Sequence, residues 1–137
     1  MEAIMTTYFA IFTQLENGDW GARFPDAPSI NTSGKDLDEA LLMAMDALSG
    51  LMVIGRKGRE YNAPRPFDEI REEAGAEDLV FPVLPNEKIM EVYKPKKRIN
   101  VMVPVDLLEK IGEKVKNTAG LDRSKFICQA TEKYLNE

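Results

Sequence analysis

No histidine occurs anywhere in the 137-residue sequence, and cysteine occurs once. The first absence excludes Ser-His-Asp and Cys-His nucleophile arrangements and histidine acid–base chemistry. The second excludes an internal disulfide. With neither a second cysteine nor a histidine to join it, Cys128 cannot anchor a metal site. It stands in Phe126-Ile-Cys-Gln-Ala130, where it reads as a small, buried or half-buried helix residue and not as a reactive thiol. No apolar run approaches the length of a bilayer-spanning helix, and no basic region precedes an apolar core at the start, so the expected location is cytoplasmic with no membrane partner. Phosphate-loop and dinucleotide-binding glycine patterns are missing too, and no cofactor is expected.

What the sequence does have is charge, unevenly placed. Residues 1–93 carry 8 Lys/Arg against 17 Asp/Glu, a net of −9, whereas residues 94–137 carry 10 against 6, a net of +4. A segregated chain can hold a polyanion on one part and a basic protein on the other. Plain surface solubility is the alternative. Lys94-Pro-Lys-Lys97 is the natural boundary, giving expected domains 1–93 and 94–137.

In the front part, Thr7-Tyr-Phe-Ala-Ile-Phe-Thr13 is apolar on both alternating faces, as in a strand that is central in its sheet or covered on both sides. Asn17-Gly-Asp19 is a tight-turn signal, and Trp20-Gly-Ala-Arg-Phe24 returns as the second strand. Pro25-Asp-Ala-Pro28 breaks it, and Ser29 to Ser33 supply a third strand at an edge. Asp36 caps a helix and Glu39 completes the capping box. Leu37, Ala40, Leu41, Ala44, Leu48 and Leu51 form its apolar stripe, and Gly55 stops it. Residues 56–65 are polar and basic, a solvated loop in preference to an RNA contact. A short acidic helix is expected from Phe67 to Ala74. Leu79-Val-Phe81 and Ile89-Met-Glu-Val-Tyr93 are strand candidates, separated by Pro82 and Pro85. The expectation is an α+β domain of order β-β-β-α-β.

Carboxylates are plentiful, and Asp19, Asp26, Asp36, Asp38 and Asp46 raise the question of a metal-dependent nuclease. Asp36 already has a capping role, and Asp38 and Asp46 lie off the apolar stripe. The expectation is no enzymatic activity, no catalytic residue and no metal site.

The tail begins Arg98-Ile-Asn-Val-Met-Val-Pro104. Arg98, Asn100 and Met102 share one face of this β-like run, and Ile99, Val101 and Val103 the other. A lone strand leaves its backbone groups unpaired, and 44 residues are too few to bury a core alone. Pairing with the same strand of a second chain gives a two-stranded antiparallel ribbon that enters the major groove of DNA. Arg98, Asn100 and Met102 are then the expected base contacts. Arg suits the two acceptors of guanine, and Asn the donor–acceptor pair of adenine. Pro104 stands at a helix start, and Leu107, Leu108, Ile111 and Val115 give the helix an apolar stripe. Asp122 caps a second helix, with Phe126, Ile127, Ala130 and Tyr134 on its apolar face. The amides at that helix start, with Lys97, Arg123, Ser124 and Lys125, are the expected phosphate contacts. Asp122 places a negative charge beside that position. Ile99, Val101, Val103, Leu108, Ile111 and Ile127 are the expected dimer core. The layout is that of a ribbon-helix-helix domain, against the plainer reading of a helical hairpin used only for dimerisation.

Two stretches together resemble one family. Tyr8-Phe-Ala-Ile-Phe, then Gly18-Asp-Trp-Gly-Ala-Arg-Phe-Pro-Asp-Ala-Pro28 and the helix from Asp36, are similar to the opening of the HicB antitoxins of type II toxin–antitoxin pairs. The tail from Arg98 to Phe126 is similar to the ribbon-helix-helix variant of that family. The resemblance covers most of the chain outside about residues 56–88. It implies a partial RNase H-like front domain without nuclease chemistry, which masks a small basic HicA-like mRNA interferase. It also implies a homodimeric tail that represses the operon by binding double-stranded operator DNA. The toxin-contact residues are not implied. Ser29 stands where the family often has glycine, and Met102 replaces a polar or basic residue on the reading face, which leaves contact with a thymine methyl. The rival readings are a stand-alone repressor with a ligand-sensing front domain, and a residual RNase H-like nuclease.

Overall fold

The computed structural model describes residues 6–137. Its backbone packing divides after Lys96, into a first unit and a second, Lys97–Glu137.

In the first unit, β1 (Tyr8–Gln14), β2 (Trp20–Phe24), β3 (Ala27–Gly34) and β4 (Leu79–Val83) form one antiparallel sheet in the order β3-β2-β1-β4. β1 lies inside the strand order and is covered on both sides, the two outcomes its apolar faces allow. The β1–β2 turn closes through a bond from the Leu15 N–H to the Asp19 carbonyl (2.7 Å), with Gly18 at φ +91°. Only glycine adopts that conformation without steric cost.

Helix α1 (Leu37–Ile54) covers one sheet face. Its start is held reciprocally. The Asp36 carboxylate accepts from the Glu39 N–H at 2.8 Å, and the Glu39 carboxylate accepts from the Lys35 N–H at 3.2 Å. A cap of this kind contributes about 1 kcal/mol. Ala40, Ala44 and Leu48 are fully buried against Tyr8, Ala10, Phe12, Ala22, Phe24, Ile30 and Val83. Ala40 and Ala44 let the helix axis come close to the sheet. On the opposite face, α2 (Phe67–Glu73) packs on β1 and β4. Ile11 and Ile70 are fully buried there, and Phe9 meets Phe67 edge-on with centroids 5.7 Å apart.

The expected strand at 89–93 is instead helix α3 (Glu87–Tyr93), capped by Asn86, whose side chain accepts from the Ile89 N–H at 3.1 Å. Pro85 sets off a new element instead of extending the sheet. The first unit therefore runs β-β-β-α-α-β-α, not β-β-β-α-β. The α3 helix packs on α1, which buries Ser49 and Gly50 off the expected stripe. The Ser49 hydroxyl donates to the Met45 carbonyl (2.7 Å) and accepts from the Asn86 N–H (2.8 Å). The unit continues past Tyr93 to Lys96, and the Lys94 N–H caps α3 on the Glu91 carbonyl.

The second unit holds α4 (Val105–Lys116), with Pro104 at its N-cap, and α5 (Arg123–Leu135), joined by a turn with Gly120 at φ +75°. The two helices pack together, and Ile111 is buried, whereas Cys128, expected to be buried or half-buried, is exposed because it lies on the side of α5 away from the apolar cover of α4 in the single chain. Residues 98–103 form no ladder within the chain. A strand there needs hydrogen-bonding groups from outside this single chain.

Candidate functional site

The second unit exposes what a helical hairpin normally hides. Ile99, Val101, Met102, Val105, Leu107, Ile127, Tyr134 and Leu135 are all solvent-exposed, Met102 completely. Leu108, Val115 and Phe126 are half-buried, and Val103 is the most sheltered of the three dimer-core candidates on its run. An open groove of about 480 Å³ between α4 and α5 is lined by Leu121, Phe126 and Ala130, with Lys114 and Lys133 among its lining residues. Apolar exposure on this scale in a 41-residue unit marks an association surface. Sequence reasoning had Leu107 and Ile127 on the apolar stripes but missed Val105 and Leu135, which belong to the turns at which the stripes begin and end.

Arg98, Asn100 and Met102 are brought to no common structured site by the single chain. They lie exposed along residues 98–103, with Lys97 exposed beside them. At the start of α5, Arg123, Ser124 and Lys125 are exposed together. The Asp122 carboxylate accepts from the Lys125 N–H at 2.8 Å, and the Lys125 ammonium turns back to the Gly120 carbonyl at 3.4 Å. One amide that an anion would use is thus already occupied by a carboxylate. Any phosphate held here relies on the side chains of Arg123 and Ser124 and the remaining helix-start amides.

In the first unit the turn Phe24-Pro-Asp-Ala-Pro28 has a structural use. Asp26, nearly buried, accepts from the Arg65 N–H (2.8 Å) and from the Arg65 guanidinium Nε (2.7 Å), and its carbonyl accepts from the Asn62 N–H (2.8 Å). The Tyr8 hydroxyl donates to the Asn62 carbonyl at 2.8 Å, and burial pushes its pKa up. Arg65 also reaches Glu73 at 2.7 Å, and its hydrogen bond to Asp26 raises its pKa further. The basic loop of residues 56–65 is thereby tied to the sheet, with Gly58 at φ +87° and the Arg56 N–H donating to Glu60. That bond, strongest among the influences on it, holds the Glu60 carboxyl below its ordinary value.

Four of the five carboxylates weighed for nuclease chemistry have other engagements. Asp26 pairs with Arg65, Asp36 caps α1, Asp46 accepts from the Tyr93 hydroxyl at 2.9 Å, and Asp19 meets Asn17. Among the described residues no three His, Cys, Asp or Glu side chains are grouped so as to hold a metal. Exposed Asp68, Glu69, Glu72 and Glu73 give α2 an acidic outer surface. A groove of about 440 Å³ beside β4 is lined by Leu41, Leu42, Met45 and Leu84, with Asp38 at hand. Among the described residues no helix is long and apolar enough to cross a membrane.

The family profile described as HicB_like antitoxin of bacterial toxin–antitoxin system matches residues 8–131. The crystal structure of the antitoxin HicB from Burkholderia pseudomallei matches with a TM-score of 0.51 and 24% identity, covering 96% of this chain and 98% of that one. A toxin–antitoxin complex from Streptococcus pneumoniae matches with a TM-score of 0.43 and 16% identity, covering 96% and 99%. A search of curated proteins returned no match.

Proposed function

Because this chain belongs to the HicB-like antitoxin family of bacterial toxin–antitoxin systems, we propose that it neutralises a small basic HicA-like mRNA interferase and represses its own operon. The observation that carries the reading is a family match extending from β1 to α5, across both units. The first unit is the toxin-binding part in this reading, a partial RNase H-like domain without catalytic activity. Its net acidic charge favours a basic partner and raises the rate of encounter with it.

The second unit is the ribbon-helix-helix part. Residues 98–103 of two chains pair as an antiparallel ribbon, which supplies the hydrogen bonds that the single chain leaves unmade. Ile99, Val101 and Val103 then turn inward with Leu108, Ile111 and Ile127. The exposure of Ile99, Val101, Leu107 and Ile127 in the single chain supports such a homodimer. Arg98, Asn100 and Met102 face base edges of double-stranded operator DNA, and Lys97, Arg123, Ser124 and Lys125 hold phosphates. The site of action is the cytoplasm, where the operon and the messenger RNA are.

The deciding experiment co-expresses the tagged chain with its immediate genomic neighbours and weighs the intact complex. A small basic protein recovered in fixed ratio is the expected result. Recovery of no such protein, with a homo-oligomer that still binds its own promoter, would overturn the antitoxin reading in favour of a stand-alone repressor. Binding titrations on Arg98→Ala/Asn100→Ala test the reading strand. Operator selectivity should vanish while toxin capture persists.

A further inference from the structure

Helix α1 and strand β4 are not closed against each other along their whole length. α3 meets α1 at Asp46, Ser49 and Gly50. The earlier turns of α1, from Asp38 to Met45, border the groove of about 440 Å³ whose other wall is Pro82, Val83 and Leu84. The sheet ends at β4 on this side. The Leu15–Asp19 bond sets the alternation of hydrogen-bonded pairs, and that alternation directs the ring nitrogen of Pro82 away from β1. The edge therefore lacks an outward donor at that point, a common protection against an added strand. A partner at this place is met by side chains.

Those side chains are apolar and left in water. Leu42 is 61% exposed and Leu84 46%, and both line the groove. Leu42 lies off the stripe of Ala40, Ala44 and Leu48 that packs on the sheet, so its exposure does nothing for the fold. Exposed apolar groups that adjoin an apolar groove mark a contact surface. One turn before Leu42, Asp38 lines the same groove and has no hydrogen bond or ion pair among the described residues. It is the one nuclease-candidate carboxylate without an engagement, and no Lys or Arg lines the groove to balance it. Apolar walls weaken the screening around such a charge, so a cation brought beside it is held more strongly than at an open surface.

We propose that this groove is where the first unit holds its basic toxin. An apolar side chain of the toxin enters between Leu42 and Leu84, and a Lys or Arg beside it pairs with Asp38. The inference rests on the antitoxin reading and adds to it the surface that is used. Charge selects this occupant. A second copy seated here would bring the net −9 of its own residues 1–93 against an unpaired carboxylate, and the same charge repels DNA. A basic protein supplies the missing counter-ion. The groove of about 380 Å³ on the other side of α1, beside β3, has no charged residue in its lining and offers a basic partner nothing of this kind.

The test is the affinity of the full-length chain for the small basic protein that co-purifies with the wild type, titrated against Leu42→Arg, Asp38→Lys and Glu69→Lys. Arginine at the exposed position 42 blocks the groove without entering the core. Asp38→Lys carries the test alone if Leu42→Arg lowers the unfolding midpoint. Glu69→Lys changes the net charge as much as Asp38→Lys does, but stands on α2, over the opposite face of the sheet. The expected result is affinity lowered about tenfold or more by Leu42→Arg and by Asp38→Lys, the scale of losing a central anchor, with a much smaller loss in Glu69→Lys. Affinity unchanged by either groove substitution overturns the proposal and leaves the antitoxin reading standing. A loss in Glu69→Lys equal to that in Asp38→Lys also overturns it, because the attraction then belongs to the whole acidic unit. A homo-oligomer mass lowered by Leu42→Arg, with toxin affinity unchanged, would make the groove a contact between copies instead. A wild type that captures no small basic protein overturns both the proposal and the reading beneath it.

Discussion

The ring of Tyr93 lies over Gly50, so close that a Cβ at position 50 would stand 3.0 Å from the Cε1 and Cζ ring carbons. The same tyrosine donates its hydroxyl to Asp46, one turn earlier on α1, at 2.9 Å. The last helix of the first unit is thus seated on a notch that glycine leaves in α1. A larger residue at 50 displaces the Tyr93 ring, and with it the bond to Asp46, or moves α3. Gly50→Leu should destabilise the unit by about 1–3 kcal/mol, the usual range for overpacking, despite the higher helix propensity of leucine. Urea unfolding measures this. An unchanged or raised midpoint would mean that α3 does not depend on the notch.

Tyr93 also carries a pH signature. Its hydrogen bond to Asp46 is the largest cause of a pKa raised above the ordinary tyrosine value, with the nearby charge and slight burial adding to it. A group whose pKa is raised by folding stabilises the fold while it is protonated. That contribution is fully present below the ordinary tyrosine pKa and is lost as pH rises through the elevated one. Stability should therefore fall at alkaline pH, and the fall should be smaller in Tyr93→Phe. Denaturant midpoints measured across that range for both proteins check it. Parallel curves would remove Tyr93 from the account.

Much of the first unit was legible because its signals are local. The Asn17-Gly18 turn, the Asp36 cap and the period of Leu37, Ala40, Ala44 and Leu48 each depend on neighbours within a few residues. α3 was not legible. Ile89, Met90, Val92 and Tyr93 are too short a run to separate helix from strand by period, and packing on Ser49 and Gly50 is a long-range contact. The pairing of Asp26 with Arg65 escaped for the same reason, across 39 positions. Residues 98–103 are the opposite case. The alternation was plain in the sequence, but the hydrogen bonds that would make a strand of it are not supplied within one chain.

Asp26→Ala should release the loop that precedes α2. The substitution leaves the Arg65 N–H and guanidinium without their carboxylate acceptor, and because Arg65 is partly solvated, water replaces part of what is lost and the effect should be local to the loop. Limited proteolysis should cut faster within residues 56–65, at the now untied arginines and lysine. Equal cleavage rates in both proteins would show that Asn62 and Glu73 hold the loop without Asp26.

Asp122 sets two demands against each other, and a pair of substitutions separates them. Its carboxylate caps α5 by accepting from the Lys125 N–H, yet its charge stands where the proposed phosphate contacts of Arg123 and Ser124 converge. Asp122→Ala removes cap and charge together and should cost about 1 kcal/mol of stability. Asp122→Asn keeps an acceptor at the cap, so stability should change by only a few tenths of a kcal/mol, because asparagine caps about as well as aspartate. The charge is lost in both, and DNA should bind more tightly to Asp122→Asn for every sequence alike, since a phosphate contact carries no base information. Arg123→Ala should do the reverse, weakening all sequences and lowering the slope of log affinity against log salt by about 1. Titrations at several salt concentrations on operator and scrambled duplexes read both effects. If Asp122→Asn leaves the affinity for both duplexes unchanged, the start of α5 does not face the phosphate backbone, and the DNA contacts lie with residues 97–102 alone.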